Sequence, residues 1–192
     1  YHAESGERVL CLTHSPELVM QNYLNFRQMM PDVHAGIYAA KLDRKDRTAT
    51  VTFALVQSVA RNIHFFRRCG LIIIDEAHLV PHSSDGQYRT VIEEIRKARG
   101  GSDKVRILGL TATPWRLNSG NLVEPYKDMP ALFDEISYEI DMLDLIEDGK
   151  LSKVGARCTK QGMDTKGIHK KGGEFVEGEM NARFNRDDVN DR

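Results

Sequence analysis

The sequence predicts an α/β domain in which helices cover both faces of a mostly parallel sheet. The first observation behind this prediction is a series of short segments that are apolar throughout, as strands buried on both faces are. The second is that segments with apolar residues at helical spacing lie between them. Ligands of such sheets bind at the carboxyl ends of the strands, so the residues that follow each strand are the candidates for a functional site.

Five segments are predicted to be strands. Residues 9–12 form the first continuous apolar run, and residues 51–56 form a second that is rich in β-branched side chains. Residues 71–74 are wholly apolar, and residues 105–110 give a fourth candidate. Residues 136–140 predict a fifth strand.

Two helices are predicted between the strands. The first begins at Ser15, because Ser15 can cap free amide groups, Pro16 suits the first helical position and Glu17 complements the helix dipole. The second contains Tyr88 and ends at Gly100. Residues 116–131 lack clear periodicity and predict a long loop.

Composition excludes several classes of protein. No apolar run approaches the roughly 20 residues that span a bilayer, so the sequence predicts a protein that does not enter the membrane and resides in the cytoplasm. A net charge of −1 argues against a generally basic, histone-like nucleic-acid binder. Cys11, Cys69 and Cys158 are far apart and suggest neither a disulfide framework nor a zinc site.

The third predicted strand ends in the sequence Asp75-Glu76-Ala77-His78. A carboxylate at a strand end can hold hydrated Mg²⁺ against the phosphates of a nucleotide, while a neighbouring carboxylate orients and deprotonates the attacking water. A polar strand end followed by a solvated turn gives the same pattern, so the motif alone does not decide between the two interpretations.

Polar side chains follow the neighbouring predicted strands as well. Thr111 and Thr113 come directly after the fourth strand, and their hydroxyls could bond to the acidic motif. Ser15 with the amides of a helix start, and Gln57 with Ser58 after the second strand, offer donors to a phosphate. Together these residues predict a site for phosphate-bearing ligands at one edge of the sheet.

The Asp-Glu-Ala-His and Thr-Ala-Thr sequences resemble motifs II and III of superfamily 2 helicases. The residues around Ser15 look like motif Ia, and residues 57–62 look like a segment that grips nucleic acid before motif II. Within the superfamily, residues 17–19, 57–62 and 109–117 most resemble the RadD-like bacterial helicases of DNA repair. This resemblance covers roughly residues 8 to 192.

The resemblance implies a RecA-like lobe of the P-loop NTPase fold. Residues 1–150 would be part of the first helicase lobe, with motifs Ia to III, and residues 151–192 would lead toward a second RecA-like lobe. It also implies hydrolysis of ATP with Mg²⁺, coupled to movement on or remodelling of nucleic acid, DNA in preference to RNA.

The resemblance also implies a role for each candidate residue. Asp75 would bind Mg²⁺, and Glu76 would be the general base. His78, Thr111 and Thr113 would couple the nucleotide state to the grip on nucleic acid. The residues that would contact phosphates of nucleic acid are Ser15, Gln57, Ser58 and Arg61.

One departure from the family concerns the phosphate loop, because no Gly-x-x-x-x-Gly-Lys-Ser/Thr sequence occurs in the chain. The fold is therefore expected to be truncated at the amino terminus, and the chain by itself is expected to be inactive. The missing strand should leave a gap beside the strand that ends at Asp75.

Two other functions fit the sequence. One is the motor subunit of a restriction enzyme, which shares these motifs and differs in its appended domains. The other is a nucleic-acid or protein interaction module that kept the fold and lost the ATPase.

Overall fold

The computed structural model describes residues 6–81, 86–116, 120–152, 167–171, 174–175 and 178–179. The chain divides into two compact units, Tyr1–Phe133 and Asp134–Arg192. The predicted site residues all belong to the first unit. The assignment of residues 1–150 to a helicase lobe and of residues 151–192 to an exit segment stays a prediction.

The chain order combines strands that are followed by helices with runs of consecutive strands. In the first unit they are β1 (Arg8–Thr13), α1 (Pro16–Met29), β2 (Ala35–Ala39), β3 (Arg44–Lys45), β4 (Val51–Leu55), α2 (Val56–Ala60), β5 (Cys69–Asp75), α3 (Gln87–Arg99), β6 (Arg106–Leu110), β7 (Trp115–Arg116) and β8 (Gly120–Asn121). In the second unit they are α4 (Met142–Glu147), β9 (Lys170–Lys171) and β10 (Glu174–Phe175).

The main sheet has six strands in the order β3-β2-β4-β1-β5-β6. All neighbouring pairs are parallel except β2 with β3, which is antiparallel. The predicted α/β class with a mostly parallel sheet is therefore confirmed. The second predicted strand ends one residue early, because Val56 already begins α2.

Helices lie on both faces of this sheet, as predicted. On one face, Val19 of α1 is fully buried in a cluster with Phe53 and Leu55, and Phe26 packs against the Phe53 ring. On the other face, α2 and α3 contribute to a second cluster; its helical members are Val56, Val59, Tyr88, Val91, Ile92 and Ile95. Burial of these two apolar layers is the main stabilising term of the fold.

The helix ends follow the predicted signals. Ser15 has extended backbone angles, and its Oγ accepts a hydrogen bond from the Leu18 amide at 3.3 Å. Pro16 occupies the start of α1, as its fixed φ favours. Gly100 ends α3 with a φ of 91°, a left-handed conformation that glycine adopts without steric cost.

Several sequence predictions were wrong. Strands β2 and β3 were not predicted, and β7 and β8 form a hairpin that enters the segment predicted to be a loop. Residues 136–140 are not a strand; Ile136, Tyr138 and Ile140 are exposed. A strand requires a partner for its backbone groups, and this segment has none among the described residues.

The expected gap beside the Asp75 strand is absent from the described sheet. Strand β5 pairs with β1 on one side and with β6 on the other. β6 is one of the two edge strands, and its outer side pairs with no strand in the described part of the chain. Leu108 and Leu110 of β6 are 44% and 50% exposed. The prediction that both faces of this strand are covered is therefore wrong.

Candidate functional site

Four neighbouring strands bring the candidate residues to one edge of the sheet. Thr13 of β1 is aligned with Leu55 of β4, and Asp75 of β5 is aligned with Leu110 of β6. Since these strands are parallel, the segments that follow them meet at their carboxyl ends. The structure therefore brings together the residues that sequence analysis selected from four separate places in the chain.

Asp75 is half-buried, and both of its carboxylate oxygens are held. Its Oδ1 accepts the Glu76 amide at 3.1 Å, and its Oδ2 accepts Nδ2 of Asn22 at 2.9 Å. Asn22 lies on α1 and was not predicted as a site residue. The sequence feature that could have identified Asn22 is its polar side chain three positions after Val19, on the side of α1 that otherwise faces the core.

Glu76 adopts a left-handed conformation, with φ 54° and ψ 55°. Such angles are uncommon outside glycine and cost a residue with a side chain about 1 kcal/mol or more. Oε2 of Glu76 lies 3.2 Å from Nδ1 of His78, and 40% of the Glu76 side chain remains exposed. The sharp turn after β5 thus leaves this carboxylate accessible to water and held near an imidazole.

His78 connects the end of β5 to the end of β6. Its Nδ1 lies 2.9 Å from Oγ1 of Thr111. The Thr111 hydroxyl donates to the carbonyl of Thr113 at 3.1 Å, and Oγ1 accepts the Thr113 amide at 3.1 Å. With the Thr111 hydroxyl assigned as the donor to Thr113, Nδ1 of His78 is assigned as the donor in the contact with Thr111.

The Thr111 hydroxyl thus contacts His78 of the Asp-Glu-Ala-His segment. Thr113 takes part through its backbone groups, and Ala112 between the two threonines is exposed. The carboxylate of Glu76 also requires a donor at Nδ1, so both contacts of His78 favour the same tautomer.

The residues proposed for phosphate contact differ in their surroundings. The Ser15 hydroxyl donates to Oε2 of Glu17 at 2.6 Å, and this bond lowers the pKa of the Glu17 carboxyl. Gln57 is half-buried near the start of α2, and Arg61 is exposed at the end of that helix. Ser58 is buried, and its Oγ accepts the Ala40 amide at 3.0 Å.

The donor set at this edge fits one kind of metal ion. No cluster of three or more histidine, cysteine, aspartate or glutamate side chains that could enclose a metal occurs among the described residues. Mg²⁺ keeps several water ligands and is usually held by one or two carboxylates together with substrate phosphates. The half-buried Asp75 carboxylate, beside the exposed Glu76, fits that mode of binding.

Burial governs the ionisation of three groups in the core, of which Cys69 lies at the amino end of β5. It raises the pKa of the Cys11 thiol to about 12 and that of the Cys69 thiol to about 11, and it raises the pKa of the Tyr88 hydroxyl. Cys69 is buried, as its apolar sequence context predicts. These three groups stay neutral near pH 7.

The fold and the site together define the motor-domain class of superfamily 2 helicases. Residues 1–116 match the family described as "Type III restriction enzyme, res subunit", and the chain belongs to that family. The chain is 26% identical over 184 residues to "Putative ATP-dependent helicase IRC3" of Saccharomyces cerevisiae. The alignment covers 95% of this chain and 25% of the yeast protein, so the chain spans about a quarter of that relative.

Within the part of the chain that the structure describes, no helix combines the length and the apolar character that crossing a bilayer requires.

Proposed function

We propose that this chain is part of an ATP-dependent DEAH-type superfamily 2 motor that moves on, or remodels, nucleic acid. The observation that carries the proposal is the connected pair of strand ends, in which His78 links the acidic residues after β5 to Thr111 after β6. The yeast relative is named as an ATP-dependent helicase, which supports the same activity.

The acidic residues divide the chemistry of ATP hydrolysis between them. Asp75 would hold Mg²⁺, which neutralises charge on the phosphates of ATP. Glu76 would accept a proton from the attacking water, because its carboxylate is exposed and lies one residue after the metal ligand. The sequence contains no phosphate-loop motif, so the groups that cradle the phosphates are not identified in this chain.

The hydrogen bonds around His78 provide a route from ATP to nucleic acid. A change in the position of Glu76 alters the acceptor available to His78, and His78 in turn bonds to Thr111. Ser15, Gln57 and Arg61 follow the adjacent strands and would contact nucleic-acid phosphates. Such contacts do not read base sequence. Ser58, the fourth residue proposed for this role, is buried and bonded to the Ala40 amide.

We further propose that the substrate is DNA in preference to RNA. The basis is the resemblance to the RadD-like helicases of DNA repair and the histidine at position 78, where RNA-dedicated DEAD-box proteins have aspartate. A second RecA-like lobe would supply the opposite side of the ATP cleft. The cytoplasmic location expected from the sequence also stays a prediction.

A second candidate function is the motor subunit of a restriction enzyme. The description of the matching family favours it, because it names such a subunit. The two candidates differ in one measurable product. A restriction motor assembles with a nuclease activity and yields cut DNA, whereas a repair helicase yields separated or remodelled strands.

The experiment that tests the proposal measures ATP hydrolysis by the complete natural protein with and without single-stranded DNA or RNA. We expect DNA to stimulate hydrolysis more than RNA does, and the Asp75→Asn variant to lose hydrolysis. Asp128→Asn is the matched control, because Asp128 is an exposed acid outside the site. Hydrolysis that survives in Asp75→Asn would refute the assignment of this edge as the ATP site.

A further inference from the structure

Exposed cations gather at the amino ends of the parallel strands, opposite the edge that carries Asp75. Arg67 and Arg68 directly precede β5, Arg106 begins β6, and Arg47 lies just before β4. Lys97 lies in the last turn of α3, which leads into β6. We call these five exposed residues, Arg47, Arg67, Arg68, Lys97 and Arg106, the basic edge.

Contacts within the first unit hold the basic edge together. Arg8, the first residue of β1, donates to the Phe65 carbonyl at 3.1 Å and to the Arg47 carbonyl at 2.8 Å. The guanidinium of Arg47 also lies 4.0 Å from the centre of the Phe65 ring. Residues just before β4 and just before β5 therefore meet at the start of β1, although they are distant in sequence.

Other cations at this end of the sheet have structural partners. Arg8 also bonds to the Ala49 carbonyl, Arg99 pairs with Glu7, and Lys104 pairs with Asp103. The members of the basic edge lack such ion pairs, although the Arg47 guanidinium stacks on the Phe65 ring. No carboxylate pairs with any of the five within the described residues, so the fold does not account for their positive charge.

The basic edge is too far from the opposite edge to serve the same ligand. β1 has six residues and therefore separates the two edges by about 20 Å. Charges on a protein surface are screened over about 8 Å at physiological salt. The positive charge at the amino ends thus adds little to the attraction of a ligand at Asp75, Gln57 or Ser15.

We infer that the basic edge is a second nucleic-acid contact of this protein and binds the phosphodiester backbone of DNA. The class of ligand rests on the proposed function, whereas the location of the surface rests on the geometry alone. Four of the five cations are arginine, whose planar guanidinium fits phosphate oxygens in a bidentate manner.

The shape of the basic edge also suits a polyanion. The cations are distributed from the start of β4 across β1 and β5 to β6, which are consecutive in the sheet. Three inter-strand spacings amount to about 14 Å, a length that covers roughly four nucleotides of one DNA strand. An extended row of unpaired cations matches a regular row of phosphates better than it matches one small anion.

The test uses the complete natural protein and a fluorescein-labelled duplex DNA, with binding measured by fluorescence anisotropy at NaCl concentrations from about 50 to about 200 mM, the range over which phosphate contacts lose affinity. The variant Arg67→Glu with Arg68→Glu reverses two exposed, unpaired charges. We expect affinity to fall about 10-fold or more at low salt, and the slope of log affinity against log salt to decrease by about 2.

A matched control and an independent variant make the result decisive. Lys127→Glu with Lys150→Glu changes the net charge equally, at two exposed lysines outside the basic edge, and should change affinity less than about 3-fold. Lys97→Glu with Arg106→Glu should repeat the loss. Unchanged DNA binding in both basic-edge variants, or an equal loss in the control, would overturn the inference.

Two further readouts separate this inference from the proposed function. ATP hydrolysis without DNA should be unchanged in the basic-edge variants, because the ATP site lies at the opposite edge. DNA-stimulated hydrolysis by the natural protein, together with unimpaired DNA binding by the variants, would refute the inference about the basic edge and leave the proposed function supported. If the charge reversals weaken the binding of a poly-glutamate peptide and leave DNA binding unaffected, the surface would instead be assigned to an acidic protein.

Discussion

The backbone at Glu76 stores conformational energy at the position where the chemistry is proposed. Left-handed angles in a residue with a side chain persist only where the surrounding structure enforces them, and such residues concentrate at functional sites. Here Ala77, which follows Glu76, is buried, and His78 is bonded to the next strand. The turn therefore has little freedom to relax.

The Glu76→Gln substitution tests the general base. In the complete natural protein we expect ATP and Mg²⁺ binding to persist, while turnover falls about 100-fold or more, because glutamine keeps the shape but accepts no proton. Steady-state release of phosphate measures turnover, and binding of a fluorescent nucleotide measures affinity. Turnover within a few-fold of the natural protein would show that another group activates the water.

Asn22 is expected to position Asp75 for the metal. The Asn22→Ala variant removes the bond to Oδ2 of Asp75, so the Mg²⁺ concentration that gives half-maximal hydrolysis should rise several-fold. This rise corresponds to a loss of about 1 kcal/mol in the free energy of Mg²⁺ binding. Hydrolysis at saturating Mg²⁺ should stay close to that of the natural protein. Asn25→Ala, an exposed asparagine on the same helix, is the control. An equal Mg²⁺ requirement in both variants would argue against the positioning role.

At the scale of single elements, Ser58 and Gln57 of α2 are expected to have different roles, although sequence analysis assigned both to phosphate contact. Ser58→Ala removes the acceptor of the Ala40 amide and should lower the free energy of unfolding by about 1 kcal/mol. Gln57→Ala should leave stability unchanged and weaken binding to single-stranded oligonucleotides of different sequence to a similar extent. Chemical denaturation and anisotropy measure the two effects. A loss of binding confined to one oligonucleotide would contradict the phosphate contact.

The elements that sequence analysis found share one property. β1, β4 and β5 lie inside the sheet and each contains a largely apolar run, which identifies them. β2 contains Gly36 and two alanines, whose strand propensity is low, and β3 has two residues that become a strand only by pairing with β2. Neither could be recognised before the partners were known.

In the site as well, residues that a local sequence pattern marks could be predicted, whereas residues that depend on distant contacts could not. Asp75, His78 and Thr111 were identified because they follow apolar strands, and strand ends meet in parallel sheets. Asn22 lies 53 residues before Asp75 on a helix, and no local pattern connects the two. The burial of Ser58 likewise depends on a contact with the segment after β2, which was not predicted.

At the scale of the whole molecule, the polypeptide of residues 1–192 is expected to show no ATP hydrolysis above background. Catalysis of phosphoryl transfer depends on positioning and on stabilisation of charge, and the sequence contains no phosphate-loop motif to provide them. A colorimetric assay of released phosphate with saturating ATP, Mg²⁺ and DNA tests this expectation. Turnover that disappears in the Glu76→Gln form of the same polypeptide would mean that other groups hold the phosphates.

The open side of β6 has a practical consequence for handling the purified polypeptide. Its main-chain donors and acceptors have no strand partner among the described residues, and two of its leucines are about half exposed. Such an edge is a template onto which a strand of another molecule can add. We expect concentration-dependent self-association, visible in sedimentation velocity as a rising average mass. Dilute samples, at low micromolar concentration or below, should therefore give the most homogeneous preparations.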